Sequence, residues 1–256
     1  MSLFSLLSKA VEKQQNDGFI SLFSEGPSWL YHQYLRRKIE PYLWTYTHRL
    51  NGYKAVADPF KIVRISPNRI QRYETKFGKR ESIGQISGGT WDIDALDLTK
   101  NKKYQAVQAH FCEGISWEET GIIDHLHNKM VEEDRTIDGC ETKVDLEARY
   151  ERVDSLYKSM KENGYQEQNH GSQDYVAVQI ARDGEFLFAG SGHHRLFIAK
   201  ILELDEIPVW IRTRHKEWQE VREEVRDSQS VDELSKEARN CISHPDLQEF
   251  VDDDWL

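Results

Sequence analysis

FLFAGSGHHRLFIAKILELDEIPVWIRT, residues 186–213, changes its periodicity twice, and those changes decide how the chain folds. FLF at 186–188 is a short apolar run of strand composition. HHRLFIAKILEL at 193–204 spaces its apolar residues at helical intervals, and IPVWI at 207–211 is again a continuous apolar run of strand length. The stretch predicts strand, tight turn, helix, strand. Gly190 and Gly192 suit a turn that needs positive φ or a close backbone approach. Directly after these glycines a helix opens, and there unpaired N–H groups and the helix dipole favour an anion. His193, His194 and Arg195 add three donors at that spot, and the Arg fork matches phosphate geometry while keeping its charge when buried.

Upstream, YVAVQI (175–180) and EFLFAG (185–190) flank Asp183-Gly184, which reads as a hairpin leading into the turn. Before the hairpin, VDLEARYERVDSLYKSMKENGY (144–165) places Leu146, Tyr150, Val153, Tyr157 and Met160 on one stripe of a helix that Asn163-Gly164 stops. Arg152, Ser155 and Ser159 share a polar face of that helix, at i, i+3 and i+7. KIVRI (61–65) alternates like a strand, and Pro67-Asn68 ends it.

Residues 71–143 are dense in Gly and charge. IGQISGGTWDIDALDL (83–98) predicts loops with short strands, while KYQAVQAHF (103–111) and SWEETGIIDHLHNKMVEE (116–133) predict short helices. Asp92, Asp94, Glu118 and Glu119 are carboxylates here of the type used as general bases or metal ligands. The first 60 residues read as helical and rich in aromatics, with Trp29, Tyr31, Tyr34, Tyr42, Trp44 and Tyr46; such a segment suits docking on a protein or on a membrane surface. No internal repeat or low-complexity segment is found.

Composition restricts the function. At 256 residues the chain is long enough for one large domain or a core domain with additions. It carries 34 Lys and Arg against 44 Asp and Glu, a formal charge of −10, which disfavours nonspecific attraction to nucleic-acid phosphates. Cys112, Cys140 and Cys241 are odd in number, widely spaced and without CxxC pairing, which argues against a disulfide framework and a zinc site and points to a reducing cytoplasm. No apolar run approaches the roughly 20 residues needed to span a bilayer.

The helix ending SLYKSMKENGY, followed by GHHRLFIAKILELDEIPVWI, resembles the ParB and sulfiredoxin superfamily, with KIVRISPNRI at 61–70 as its first strand. The likeness covers roughly residues 144–213. It implies that Gly192, His193, His194 and Arg195 in the turn, with Arg152, Ser155 and Ser159 on the helix, hold the phosphates of ATP or another nucleotide. His193 stands where sulfiredoxin has its reactive cysteine, so sulfinic-acid repair is not available to this chain. ParB partition proteins carry a separate helix-turn-helix domain, and residues 214–256 are too short and too acidic to supply one. Small-molecule kinases form a third branch.

The architecture expected is α+β: a ParB/sulfiredoxin-like domain over 61–213 with an insertion at 71–143, a helical extension over 1–60 and an acidic helical tail over 214–256. The function expected is nucleotide binding with Mg²⁺-dependent phosphoryl transfer to an unidentified small-molecule acceptor, or hydrolysis. Arg195 and Arg152 would offset phosphate charge, His194 would donate to a phosphate oxygen, and Asp92 or Glu119 would act as base. A ParB-like nucleic-acid-binding protein or nuclease, and a non-catalytic nucleotide-switched module, are the alternatives. Duplex DNA is not an expected partner.

Overall fold

The computed structural model describes residues 39–74, 83–167, 175–252 and 255. Most of the aromatic N-terminal stretch lies outside these residues. Its described part forms α1 (Glu40–Leu50), which Pro41 starts, because a proline's fixed φ suits the first helical turn and its missing N–H is not needed there. KIVRI supplies β1 (Ile62–Ile65), and a single helical turn at Pro67 leads into β2 (Ile70–Tyr73). The insertion contributes β3 (Gln85–Ser87), β4 (Leu96–Asp97), α2 (Lys102–Glu113) and α3 (Ile122–Glu133). There follow α4 (Lys143–Asn163), β5 (Val176–Ile180), β6 (Phe186–Phe188), α5 (His193–Ile201), β7 (Ile207–His215), α6 (Lys216–Asp227) and α7 (Lys236–Asn240).

The described residues thus form a mixed α+β structure with seven helices and a seven-stranded mixed sheet. The strand–turn–helix–strand unit expected from 186–213 is present as β6, α5 and β7. The sheet runs β1-β7-β5-β6-β2-β4, with β3 also on β7. β5 and β6 form the expected antiparallel hairpin, whereas β5–β7 and β2–β6 are parallel. At nine residues, β7 is long enough to pair with β1 through Ile207–Trp210 and with β3 through Thr213–His215.

Local chemistry explains several boundaries. α4 opens on a capping box in which Thr142 and Asp145 bond each other's backbone N–H. Residues 116–133, expected as one helix, become helical only at Ile122. Ser116 and Glu119 bond one another across a turn, and Gly121 at φ 69° breaks any earlier helix. The hairpin turn requires Gly184: its φ is 88°, and a Cβ there would stand 2.7 Å from the Trp218 ring.

Strand alternation builds two cores. Val176, Val178 and Ile180 of β5, with Val209 and Ile211 of β7, face one large cluster with Val107 of α2, Leu126 of α3, Leu146 and Tyr150 of α4, and Phe197 of α5. Ala177 and Trp210, between them in sequence, join a smaller cluster with Ile83, Tyr175 and Ala189. The apolar stripe expected on α4 is buried at Leu146, Tyr150, Val153 and Met160.

The segment expected as an acidic tail is helical at α6 and α7, and it is built into the structure. Trp218, Val225, Ala238 and Leu247 belong to the large core. Arg222 and Asp246, both fully enclosed, pair at 2.9 Å. Among the described residues no helix is long and apolar enough to cross a membrane.

Candidate functional site

The GSGHHR turn is placed by close packing. Gly190 and Gly192 both have φ of 77°. At Gly192, the N-cap of α5, a Cβ would come within 2.8 Å of the Val176 backbone, so only glycine lets the turn lie on β5. No side chain caps this helix, which leaves its first N–H groups without a side-chain acceptor.

Gly190 and His193 line a cleft of about 800 Å³. Beside them stands the start of α2, where Asn101 accepts from the N–H groups of Lys103 and Tyr104. Two helix N-termini therefore border the same space. Lys100, Lys102, Lys103, Lys129 and Arg135 line it, against two carboxylates, Glu74 and Asp138. Lys129 and Arg135 share Glu133. Lys100 and Lys102 are exposed and pair with no carboxylate among the described residues.

The inner wall is ordered by one cluster. Asp138 and Gly139 occupy the centre of a tight turn, both with positive φ (55° and 78°), closed by mutual backbone bonds between Ile137 and Cys140. This is the type I′ geometry that Asp-Gly favours. The turn presents the Asp138 carboxylate to the Lys103 ammonium and to His193 Nε2, the latter at 3.4 Å. Lys103 Nζ in turn lies 3.4 Å from His193 Nε2. Burial pushes Asp138 up, but His193 and Lys103 outweigh it and hold the carboxyl far below its usual range. Burial, reinforced by the Lys103 charge, pushes His193 down to about 4, so its ring is neutral at pH 7.

The residues expected to form the site separate into three groups. His193 lines the cleft; Gly192, packed on the Val176 backbone, does not. His194, next along α5, points into the core. Its ring meets Tyr150 edge-on at 5.5 Å, its Nε2 has no hydrogen-bond partner, and burial drives its pKa well below the usual value. The place facing the cleft belongs to His193 instead, because successive helical residues point about 100° apart. Arg195 is half-buried near Tyr165, whose phenol its charge acts on, and it does not line the cleft. Arg152, Ser155 and Ser159 lie on α4 outside the lining, the first two exposed; α4 meets the turn through Tyr150 instead.

The two proposed bases have structural partners elsewhere. Asp92 is buried and receives Arg182 at 2.8 and 2.9 Å, together with the Arg182 N–H. Burial opposes ionisation, and those bonds still lower its pKa to about 2. Arg182 follows the far end of β5 from Val176, so Asp92 sits roughly 15–20 Å along the strand from the GSGHHR turn. Glu119 is fixed on Ser116 in the loop before α3.

The five cations are not residues the sequence reading singles out. Two cues mark the region: KNKK at 100–103 is a basic run in an acidic chain, and Asp138-Gly139 is a turn dipeptide. Lys129 and Arg135 carry no comparable cue. Among the described residues no group of three or more His, Cys, Asp or Glu is arranged to hold a metal ion. Mg²⁺ usually takes one or two carboxylates plus substrate phosphates; of the two carboxylates that line the cleft, Asp138 is held by Lys103 and His193, so the lining offers no ready pair of carboxylates for it. Comparison of the chain with protein-family models, with curated proteins and with solved structures finds no match.

Proposed function

We propose that the protein binds a nucleotide in this cleft, its phosphates lying between the N-termini of α2 and α5. The observation that carries the reading is the concentration of charge: five cations and two helix N-termini face one space in a chain of net charge −10. A polyanion complements this excess of cations over carboxylates on the lining, which a neutral ligand does not. The likeness of the GSGHHR stretch to the ParB and sulfiredoxin superfamily supports the same ligand class.

Phosphoryl transfer or hydrolysis is the reaction that suits such a ligand. Lys103, held by Asp138, offsets charge on the phosphate oxygens, and His193, neutral, offers a ring N–H or an acceptor according to its tautomer. Glu74 is the carboxylate on the cleft wall placed to take a proton from an acceptor hydroxyl or water. Mg²⁺, when bound with the nucleotide, supplies further neutralisation of the phosphates.

Thermal stabilisation by ATP, ADP, CTP or GTP with Mg²⁺ tests the reading, since a ligand that binds only the folded state raises the melting temperature. At least one should raise it, and Lys103→Ala should reduce that nucleotide's affinity about tenfold or more, in keeping with a lost charge-assisted bond of roughly 1.5–3 kcal/mol. No stabilisation by any of the four, or an unchanged affinity in folded Lys103→Ala, would remove the proposal.

A further inference from the structure

The cleft contains one polar side chain whose bonding is incomplete. Gln179 lines it from β5 and is only 2% exposed, yet its Oε1 has no hydrogen-bond partner. Its neighbours across the sheet are Leu187 on β6 and Thr213 on β7. On its own strand, Ala177 and Ala181 share its face. A carboxamide oxygen enclosed among such neighbours without a partner is costly, because an unmet buried acceptor carries its whole desolvation penalty.

The position also matters. Gln179 shares the cleft with Phe188, Ala189 and Tyr73, a wall that carries no cation, whereas the lysines stand at the start of α2 and within α3. One side of the cleft is therefore cationic, and the other carries the Gln179 amide and the Glu74 carboxylate among apolar residues. A bare phosphate or polyphosphate has use for the first and none for the second.

We infer that Gln179 is a specificity-determining residue that hydrogen-bonds an uncharged donor–acceptor edge of the ligand, such as that of a nucleobase, while the phosphates occupy the lysine side. The inference rests on the proposed nucleotide binding and adds the part of the ligand that is recognised. A carboxamide offers donor and acceptor side by side, the complement of an adjacent donor and acceptor on a base edge.

Calorimetry with ATP, GTP, CTP and inorganic tripolyphosphate, each with Mg²⁺, separates the two halves of the site. The wild-type protein should bind one nucleotide at least about tenfold tighter than tripolyphosphate. Gln179→Leu should erase that preference while leaving tripolyphosphate affinity unchanged. Gln179→Met, which keeps an unbranched side chain of similar length, provides a second variant should leucine disturb the sheet, with circular dichroism checking both. A preference retained in a folded Gln179 variant, or a wild-type protein that binds tripolyphosphate as tightly as every nucleotide, overturns the inference and leaves the basic cleft standing. Absence of binding by all four overturns the nucleotide reading itself, and this inference with it.

Discussion

Asp246 and His193 each sit among several cations, but the two surroundings are finished differently. Around Asp246 the charges are answered, and Asp246 and Arg222 are fully enclosed. Arg214 grips the carboxylate at 2.6 and 2.8 Å, Arg222 adds 2.9 Å, and the Trp218 indole donates at 3.0 Å. Arg222's remaining donors go to the Ala55 carbonyl and to Glu249. Around His193, Asp138 is held by Lys103 and His193, while Lys100 and Lys102 are exposed without a carboxylate partner among the described residues, and the Gln179 oxygen lacks a partner. A buried charge knot that is complete has no capacity left for a ligand and fixes the position of the segment that carries it. An incomplete one, open to a cleft, is where a ligand gains most. The contrast assigns stability to the first region and binding to the second.

The largest test removes Asp246. Asp246→Ala leaves two enclosed guanidinium groups without their carboxylate, and breaking a buried pair in this way costs about 3–5 kcal/mol. Urea unfolding should show that loss. Asp246 is pushed up by burial but driven far below its usual range by Arg214 and Arg222, so it stabilises the fold above about pH 4 and the contribution fades as pH falls below that. The variant should lose part of the acid limb of the stability curve. A variant as stable as the wild type would show that the knot does not fasten residues 214–252 to the sheet.

This contrast is only partly visible in the sequence. The β6–α5–β7 unit and the β5–β6 hairpin are legible because each is encoded within about 30 consecutive residues: periodicity, two glycines and one Asp-Gly turn suffice. The knot is not, because Asp246, Arg214, Arg222 and Lys61 are brought together by the sheet and have no pattern of their own. Asp92 reads as a candidate base for the same reason, since Arg182, its partner, is 90 residues away. The cleft assembles β2, α2, α3, the 135–139 turn and α5, so its basic character disappears in the acidic total. Helical spacing correctly put Arg152, Ser155 and Ser159 near one another on α4, but spacing does not say which way a helix is turned toward its neighbours.

A second test compares the histidines of the two regions. His193 in the cleft and His244, stacked on Phe186 beside the knot, are both pushed down to about 4, in each case chiefly by burial. Their ordinary value is about 6.5, so as pH falls from there toward 4 the unfolded chain takes up protons that the folded chain refuses. Stability should decline across that window by at most on the order of 3 kcal/mol for each histidine. NMR titration distinguishes them: an anionic ligand in the cleft should raise the pKa of His193 and leave His244 where it is. Equal movement of both, or of neither, would break the distinction between an open site and a closed one.

The smallest effect is the most specific to the cleft. Lys100 and Lys102 are exposed and lack carboxylate partners among the described residues, so replacing both by alanine removes no ion pair that holds the fold. Stability should stay within about 0.5 kcal/mol of the wild type. Exposed charges contribute roughly 0.2–1 kcal/mol each, so the double variant should bind its nucleotide roughly two- to thirtyfold more weakly. That difference should shrink as salt rises, because the screening length falls from about 10 Å at 0.1 M to about 3 Å at 1 M. Lys216→Ala serves as the control: it removes an exposed lysine of α6 that lies outside the cleft lining, and it should change neither affinity nor its salt dependence. If Lys216→Ala weakened binding as much as the double variant, the effect would belong to the net charge of the protein, and the cleft would lose its claim to the ligand.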